Sequence, residues 1–502
     1  MAIAIRDNLP VLLVVLLLSS AYILPVLTKI RRFRLVEIFS VLALCLTLAG
    51  GVYVAREVLH NGAFRYEVGG WPAPWGIELV INSVTGLFLM TIGFVTIPIL
   101  LYASADLVEE VGSRQRGIWF LTLFLLLTAA LTGLAFTGDM FNVFVFVEVA
   151  TIASCAIVSA RNDAASVEAT FKYLMLATIG SGFVLLGIGF LYILTGNLNM
   201  GFIQHELSKT WQNYPTALWM GMSFFMVGFG VKSALFPLHV WLPDAHSTAI
   251  TPASAMLSSL AIKGYIIALL KVFYMAVGAQ IILALPITNI LLVLGMIAII
   301  AGALFALAQD ELKRRLAFST VSQVGYIFLG IGLGTVQGLG GSLMHILSHA
   351  ITKALLFLAA GSIVKYTGKT RISEMAGVGF QMPVTVGVFT VGTLSMIGIP
   401  LFSGFVSKWQ LLLGSLHDGN YLAVLVLIAG SLLAAAYLLP VVRVAFFQKP
   451  EEKPLYQEAE YVQLIAMLFL AVLIILVGMF PGALLDLAQQ AARTLLGLEV
   501  LL

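Results

Sequence analysis

Runs of about 20 apolar residues, separated by short polar segments, repeat along almost the whole chain. An α-helix rises 1.5 Å per residue, so each run is long enough to cross the roughly 30 Å hydrocarbon core of a bilayer. Because backbone amides have no water partners in lipid, each run is predicted to be helical. The runs predict about fourteen membrane spans, at 9–29, 35–57, 78–103, 117–137, 139–160, 167–195, 216–240, 249–272, 281–307, 315–335, 338–365, 383–415, 420–447 and 459–482.

The composition agrees with a multi-pass membrane protein that has little mass outside the bilayer. Of the 502 residues, 60% are hydrophobic and 10% are charged, whereas a soluble domain carries about 25% charged residues. The net charge of +3 indicates neither an acidic partner nor a nucleic acid. The first run, 9–30, is longer than the apolar core of a signal peptide and lacks a basic start, so it is predicted to be the first span.

The cysteines predict no cofactor site. Cys45 and Cys155 are the two cysteines of the chain, and both lie inside apolar runs. This placement favours small core residues over a disulfide, a zinc site or an iron–sulfur site. The sequence also lacks a nucleotide-binding loop, so neither a metal nor another cofactor is expected.

Basic residues are distributed unevenly between alternate connecting segments. If the N-terminus faces out, the inner segments hold seventeen Lys and Arg residues and the outer segments hold six. This bias predicts a cell-membrane protein with both termini on the outer side. The inner set is Lys29, Arg31, Arg32, Arg34, Arg114, Arg116, Arg161, Lys172, Lys313, Arg314, Arg315, Lys365, Lys369, Arg371, Arg443, Lys449 and Lys453. The outer set is Arg6, Arg56, Arg65, Lys209, Lys271 and Arg493.

Two of the predicted spans are interrupted. In the seventh, Pro237 and Pro243 follow soon after Lys232, and the twelfth contains Gly398 and Pro400. Proline removes a backbone donor and clashes with the preceding turn, so a continuous helix is not expected at either place. Interrupted helices five spans apart, running in opposite directions, are typical of an inverted repeat. The pattern therefore predicts one repeat in spans 4–8 and another in spans 9–13.

The repeat divides the chain into four predicted parts. Residues 1–110 hold the first three spans, 111–275 the first repeat, 276–448 the second repeat, and 449–502 the last span with a C-terminal amphipathic segment. That segment, ALLDLAQQAARTLLGLEVLL, is interpreted as a helix lying on the outer membrane interface.

One carboxylate and four lysines lie deep inside predicted spans: Glu148, Lys232, Lys263, Lys353 and Lys408. An ionised side chain at the bilayer centre costs about 3 kcal/mol, so five of them, of both signs, indicate an ion or proton path. A carboxylate beside a buried lysine stabilises the lysine's charge, so a movable pair of Glu148 and Lys232 can load and release protons. The alternatives are a structural ion pair for Glu148 and snorkelling of Lys232 to the membrane surface.

Lysine depth differs along the eighth span. Lys263 is about a dozen residues into this span, which predicts a position near the midplane. Lys271 follows eight residues later and is predicted to lie near the outer surface, where solvation makes its charge cheap.

The eleventh span carries a row of titratable residues. His345, His349 and Lys353 are spaced four apart, which places them on one stripe of a helix. Histidine is suited to passing protons at neutral pH, so the stripe predicts a relay. A metal pair is disfavoured because no Cys, Asp or Glu flanks the histidines.

The segment after the seventh span contains further polar residues with two open interpretations. His239 and His246 bracket a turn that also holds Asp244, and the three either line an inner entrance or cap the next helix. The next span carries serines that either hold water or bond the helix backbone: Ser254, Ser258 and Ser259.

Several motifs match one family in combination. FPLHVWLPDAHSTAITPASAML lies between Lys232 and Lys263, and FNVFVFVEVATI precedes it. SHAITKALLFLAAG and GIPLFSGFVSKWQLL follow. Together they resemble the antiporter-like membrane subunits of respiratory complex I, of Mrp cation/proton antiporters and of membrane-bound hydrogenases. The likeness extends over about residues 75–450.

The resemblance implies an all-α fold of about fourteen helices with two inverted five-helix units. It implies a multisubunit complex with sister antiporter-like subunits, carrying protons and, as a second candidate, sodium ions. It implies a path formed by a first-half pair of Glu148 and Lys232, a central link at Lys263, and a second-half route of His345, His349, Lys353 and Lys408.

The resemblance leaves the type of complex open. Lys408 does not separate Mrp-type subunits from several complex I-type ones. The lack of a long lateral helix after the last span favours an Mrp-type D subunit, or its equivalent in a membrane-bound hydrogenase, over the distal complex I type. The alternatives are a proton-pumping subunit of complex I type and a stand-alone carrier. A solute carrier needs converging polar groups, whereas here the polar groups follow one another along successive helices.

Overall fold

The computed structural model describes residues 2–26, 33–448 and 456–498. Five basic residues assigned to inner segments, Lys29, Arg31, Arg32, Lys449 and Lys453, lie outside the described residues. The described chain is almost entirely α-helical, with one antiparallel pair of strands, so the all-α membrane fold is confirmed.

The helices follow the predicted order of spans. The first half comprises α1 (Ala2–Val26), α2 (Phe33–Asn61), α3 (Ser83–Ala103), α4 (Leu107–Val111), α5 (Arg114–Phe136), α6 (Met140–Val158), α7 (Ala164–Thr195), α8 (Met200–Thr210), α9 (Pro215–Lys232), α10 (Trp241–Thr248), α11 (Thr251–Met256), α12 (Ile262–Leu270) and α13 (Ala279–Ala284). The second half comprises α14 (Ile287–Leu307), α15 (Leu312–Leu333), α16 (Val336–Thr367), α17 (Val378–Gln381), α18 (Pro383–Ile397), α19 (Ser403–His417), α20 (Tyr421–Phe447), α21 (Tyr461–Met479) and α22 (Gly482–Leu495).

Twelve described helices are long and apolar enough to cross a membrane, counting α11 to α13 as one continuous helix. The remaining two predicted spans, the seventh and the twelfth, are each divided into two helices. These are α9 with α10, and α18 with α19. The predicted breaks are therefore confirmed, five spans apart.

Each break contains a residue with a rare backbone conformation. Ala234 has φ 55° and Leu401 has φ 80°, in the left-handed region that L-residues seldom occupy. Such a residue costs on the order of 1–3 kcal/mol and persists only where the surroundings fix it. At the first break the indole of Trp241 donates to the Val231 carbonyl at 2.8 Å. The same carbonyl also accepts from the Ala234 backbone amide at 3.2 Å, so the bond from Trp241 adds a second donor at the end of α9.

The helix connections lie on two opposite faces. One face, here called the hairpin face, carries β1 (Phe64–Glu67) paired antiparallel with β2 (Glu78–Ile81). Isolated backbone bridges join Leu79 to Thr137 and Asp139 to Asn199 on the same face. The Tyr66 hydroxyl reaches Asn8 at 3.1 Å, so the described N-terminal end also lies there.

The other face, here called the basic face, carries the segments rich in Lys and Arg. A backbone bridge joins Glu311 to Arg371, and the Tyr366 hydroxyl donates to Gln463 at 3.0 Å. These contacts bring the start of α15, the end of α16 and the start of α21 together. The connecting segments thus alternate between the faces as the fourteen-span prediction requires.

The centre of the fold is formed by the two polar helices α15 and α16. The transmembrane window of α16 is buried completely, and that of α15 almost completely. Glycines allow α14 and α15 to approach closely: a Cβ on Gly302 would lie 2.5 Å from the Ser322 backbone nitrogen, and one on Gly295 would lie 2.5 Å from that of Leu329. Small residues permit such backbone contact between membrane helices.

The C-terminal amphipathic helix α22 packs its apolar face against α3 and α16 and buries Leu487 and Ala491. The prediction that both cysteines are core residues was wrong for one of them. Cys155 is a buried core residue as expected, whereas Cys45 is exposed on α2.

Candidate ion path

The first-half pair is brought together by α6 and α9. Lys232 is the last residue of α9 and is wholly buried, and its Nζ lies 3.8 Å from Oε1 of Glu148. The Glu148 side chain is 30% exposed and accepts a hydrogen bond from the Ser181 hydroxyl of α7. At this distance and an effective dielectric constant of about 20, the charges attract by about 4 kcal/mol, less some screening of the exposed carboxylate.

Lys232 is also linked to the eighth span. Its ammonium donates to the Thr151 hydroxyl at 2.7 Å, and that hydroxyl lies 3.3 Å from the Tyr265 hydroxyl. The Lys232 Nζ is 5.4 Å from the centre of the Tyr265 ring, within cation–π range. Tyr265 is two residues from Lys263, so the helix that carries the predicted central link also contacts the first-half pair.

Lys263 lies in the middle of the continuous helix α11–α13. Its ammonium donates to the Ser258 carbonyl, which belongs to a π-helical segment from Leu257 to Ala261. A π-helical turn leaves backbone carbonyls without their usual partner and is frequent at functional sites. The Ser258 hydroxyl bonds Thr320 of α15 at 2.8 Å, which connects this turn to the second half.

The relay row on α16 is fully buried. The rings of His345 and His349 stack with centroids 5.7 Å apart and planes 8° apart. His345 Nδ1 bonds the Ser407 hydroxyl of α19 at 2.9 Å. Lys353 donates to the Leu316 carbonyl at 2.7 Å and to the Ser319 hydroxyl, both on α15. The row therefore faces α19 at one end and α15 at the other.

Lys408 completes the second half. Its ammonium donates to the Met396 carbonyl at 2.7 Å and to the Ile397 carbonyl at 3.2 Å. These carbonyls end the half-helix α18, where the helix dipole favours a cation. Nζ also lies 4.5 Å from the centre of the Tyr326 ring, which stacks on His345 with centroids 5.5 Å apart.

The seven predicted residues thus form two connected groups with Lys263 between them. Glu148 and Lys232 form the first group, and His345, His349, Lys353 and Lys408 form the second. His349 interacts electrostatically with Lys263, Lys353 and Lys408. Among the described residues, only the first group contains a carboxylate in contact with a buried lysine.

The prediction for Lys271 was wrong. This lysine is buried, and its ammonium donates to the carbonyls of Leu134 at 3.3 Å and Ala135 at 2.7 Å. The carbonyls belong to the last turn of α5, so Lys271 satisfies groups that the helix end leaves open. It also begins a second π-helical segment, Lys271–Gly278.

Sequence reasoning also missed Thr151, Tyr265 and Tyr326. A signal for Tyr326 was present, because α15 is the least hydrophobic of the twelve long spans and yet is almost completely buried. A span that is both polar and buried must face protein rather than lipid. Thr151 and Tyr265 gave no comparable signal, because one threonine or tyrosine in an apolar helix is common and does not by itself indicate a partner.

The histidines near the first break separate in the structure. His246 is wholly buried and stacks on Phe357 of α16 with centroids 4.8 Å apart. His239 packs among aromatic rings, with Phe236 at 5.3 Å. Asp244 instead forms an ion pair with Arg314 at 3.2 Å near the basic face.

The serines of α11 and the π turn have different partners. Ser254 donates to the His246 carbonyl at 2.9 Å, and Ser258 bonds Thr320. Ser259 makes no hydrogen bond within the described part of the chain. Two of the three therefore hold helices together.

Fold and site define a class: a multi-pass membrane protein with two interrupted helices and a line of buried lysines. Residues 137–434 match the family described as "NADH:quinone oxidoreductase/Mrp antiporter, TM". The chain belongs to this family.

Relatives of the chain come from different assemblies. The N subunit of NADH-quinone oxidoreductase from Desulforudis audaxviator is 39% identical over 88% of this chain and 87% of its own. The D subunit of the Na(+)/H(+) antiporter from Alkalihalophilus pseudofirmus is 29% identical over 85% and 84%. A chain in the structure of the membrane-bound sulfane sulfur reductase, an archaeal respiratory membrane complex, is 31% identical, with a TM-score of 0.88 over 97% of both chains.

Proposed function

We propose that this chain translocates protons, with sodium as the other candidate ion, as one subunit of a multisubunit membrane complex. The observation that carries this proposal is the series of buried lysines at both helix breaks and between them. Lys232 ends α9, Lys408 lies beside the end of α18, and Lys263 lies between them in sequence. A purely structural bundle would not bury several lysines inside its membrane-spanning helices, because each charge is costly there.

The Glu148–Lys232 pair supplies a switch for this function. While the carboxylate is near, it stabilises the ammonium, and while it is away, the buried ammonium is unfavourable and releases its proton. Lys232 has Thr151 as an alternative partner, so the lysine can leave the carboxylate without losing every hydrogen bond. Ser181 can hold the carboxylate in place.

The assembly is proposed to be of the Mrp type, with this chain as the D subunit, or the equivalent subunit of a membrane-bound hydrogenase. The likeness to the D subunit of a Na(+)/H(+) antiporter supports this assignment. A complex I-type pumping subunit is the second candidate, and the 39% identity with an N subunit favours it. Purifying the native complex by a tag on this chain and identifying the co-purifying proteins would distinguish the two assemblies.

We place the basic face on the inner side of the cell membrane and both termini outside. The support is the concentration of Lys and Arg on that face. Removing the buried Lys271 from the outer set strengthens the bias. A single cysteine introduced at Asn61 on the hairpin face should react with an impermeant thiol reagent on intact cells, whereas one at Lys369 should not. The reverse pattern would overturn this orientation.

The central test is Glu148→Gln in the assembled complex. We expect coupled transport in membrane vesicles to be abolished while the complex still assembles, because the side chain keeps its shape and loses its charge. Glu168→Gln is the matched control, since this glutamate is 69% exposed and pairs only with surface groups. Full transport by Glu148→Gln vesicles would refute the switch.

A stand-alone carrier makes a different prediction. The purified single chain in proteoliposomes would then exchange ions at a rate near that of the complex, and Lys232→Ala would remove the exchange. We expect the isolated chain to move neither protons nor sodium at such a rate, because the path holds no driving reaction of its own.

A further inference from the structure

A polar cavity opens at the basic face, beyond the residues of the proposed path. It has a volume of about 370 Å³ and is lined by residues from five separate parts of the chain. The charged lining residues are Glu109, Glu110, Arg161, Lys313 and Lys365. Thr251, at the start of α11, forms part of the wall.

The relay row of α16 continues into this cavity. Positions at intervals of four along the helix are His345, His349, Lys353, Phe357, Gly361 and Lys365. Five such steps cover about 30 Å and wind by about 200° around the helix axis. The row thus extends from the path to the basic face, with its last two members in the cavity wall.

Gly361 lets α16 pack closely against the start of α11 at the cavity wall. A Cβ at this position would collide with the Thr251 side chain, so any larger residue would push against the start of α11. The segment between α10 and α11, which contributes Ala249 and Ile250 to the wall, follows α10, the helix that carries His246. His246 therefore lies within three residues of the cavity lining.

Phe357 and His246 separate the cavity from the path. The Phe357 ring contacts both the His246 imidazole, at 4.8 Å, and the Lys353 ammonium, at 5.5 Å. Both ring nitrogens of His246 are buried without a hydrogen-bond partner in the described part of the chain. Buried polar atoms are rarely left unbonded, so this imidazole is available to a transient partner.

Glu110 is the group best suited to titrate at the cavity mouth. Burial and the neighbouring Asp106 carboxylate raise the pKa of Glu110 to about 7, against the opposing effects of Lys313, Lys365 and Arg161. The groups that face it are Asp106 and Glu109 beside it, Arg161 after α6, Lys313 of α15 and Lys365 of α16. Lys365 is engaged by Asp106 and lies 3.8 Å from Glu109, so it is partly neutralised by other carboxylates.

We propose that this cavity is the port through which protons pass between the basic-face solution and the lysines of the path. Glu110 binds the proton at the mouth, and His246 carries it past Phe357 to Lys353. In each step one group gains the proton that the other loses: carboxylic acid to imidazole, then imidazolium to amine. The port rests on the proposed translocation function and extends it to the basic-face surface.

Glu110→Gln in the assembled complex tests the port. We expect a several-fold lower initial transport rate at about pH 8, where protons are scarce in solution and the ionised carboxylate of Glu110 can collect them. The rate should approach that of the unmodified complex at about pH 6, where protons are plentiful in solution. Glu110→Asp should retain the rate, and Glu168→Gln, on a 69% exposed glutamate outside the cavity, should leave it unchanged. A Glu110→Gln rate equal to that of the unmodified complex at every pH would overturn the proposal.

Glu148→Gln, measured in the same kind of vesicles, distinguishes a failure of the port from a failure of the proposed translocation function. If Glu148→Gln is inactive and Glu110→Gln is unaffected, the port is wrong and the translocation function stands. If Glu148→Gln transports fully, the switch itself is wrong.

Thiol labelling tests the cavity even if Glu110→Gln fails to assemble. In a background with Cys45 and Cys155 replaced by serine, we expect Thr251→Cys to react with a small charged thiol reagent added at the basic face, and the reaction to block transport. Ser254→Cys, one turn deeper, should remain unlabelled. No labelling at Thr251→Cys, or equal labelling of both positions, would overturn the port as a cavity closed by Phe357 and His246.

Discussion

The ion pair of the first half predicts an unequal response to removing its two charges. Lys232 is wholly buried, whereas the Glu148 side chain is 30% exposed. Glu148→Gln leaves a buried ammonium without its carboxylate, a change that costs about 3–5 kcal/mol in comparable buried pairs. Deprotonation of Lys232 sets an upper limit on this cost, because converting an ordinary lysine to its neutral form at neutral pH requires about 5 kcal/mol.

Lys232→Met removes the buried charge itself. The remaining carboxylate keeps its bond from Ser181 and can be solvated through its exposed part, so the loss should be about 1–2 kcal/mol. The double variant has neither charge and should be more stable than Glu148→Gln alone. The attraction of about 4 kcal/mol, reduced by screening, predicts a coupling energy of about 1–4 kcal/mol.

A double-mutant cycle on the purified complex checks these values. Thermal or denaturant unfolding of the four proteins gives the coupling energy directly, provided that the single changes introduce no new contacts. Additive effects of Glu148→Gln and Lys232→Met, within about 0.5 kcal/mol, would refute an energetically coupled pair. Greater stability of Glu148→Gln than of Lys232→Met would refute the argument from unequal burial.

Two further predictions concern positions outside the pair. Lys271→Met should destabilise the protein by about 3–6 kcal/mol, because it removes two charge-assisted bonds to the end of α5. Lys271→Arg should retain most of the stability. Unfolding measurements that show Lys271→Met to be neutral would contradict the capping role. Gly302→Ala should lower the unfolding temperature, because its Cβ would meet the Ser322 backbone at 2.5 Å. Gly182→Ala should leave the unfolding temperature unchanged, because its Cβ would point into open space. Equal unfolding temperatures of the two variants would contradict close packing of α14 on α15.

Much of the fold was predictable because lipid imposes simple rules on a sequence. The length of an apolar run predicts a membrane-spanning helix, and a proline or glycine inside such a run predicts where the helix is interrupted. Pro237 lies at the first break and Gly398 at the second. The stacking of His345 on His349 also follows from their spacing of four, because these side chains must adjoin on a helix.

Other features depend on contacts between distant segments and could not be read from local sequence. Lys271 was placed by counting residues toward the surface, but the helix end of α5 covers it. The amphipathic pattern of α22 suits a lipid surface and a protein surface equally, and only the position of α3 and α16 decides between them. Depth along one helix does not determine what lies beside it.

The charges of the path imply how its sites influence one another. Of the five buried lysines, only Lys232 has a carboxylate in contact among the described residues. Lys263, Lys353, Lys408 and Lys271 bond carbonyl or hydroxyl oxygens, which accept hydrogen bonds from an ammonium without cancelling its charge. Like charges in a medium of low dielectric constant repel, so protonation at one site disfavours protonation at the next. A neutral lysine can still accept a proton, so we expect protons to occupy alternate lysines of the proposed path. A carboxylate that approaches from a neighbouring protein would stabilise the ammonium beside it and shift this alternation by one lysine.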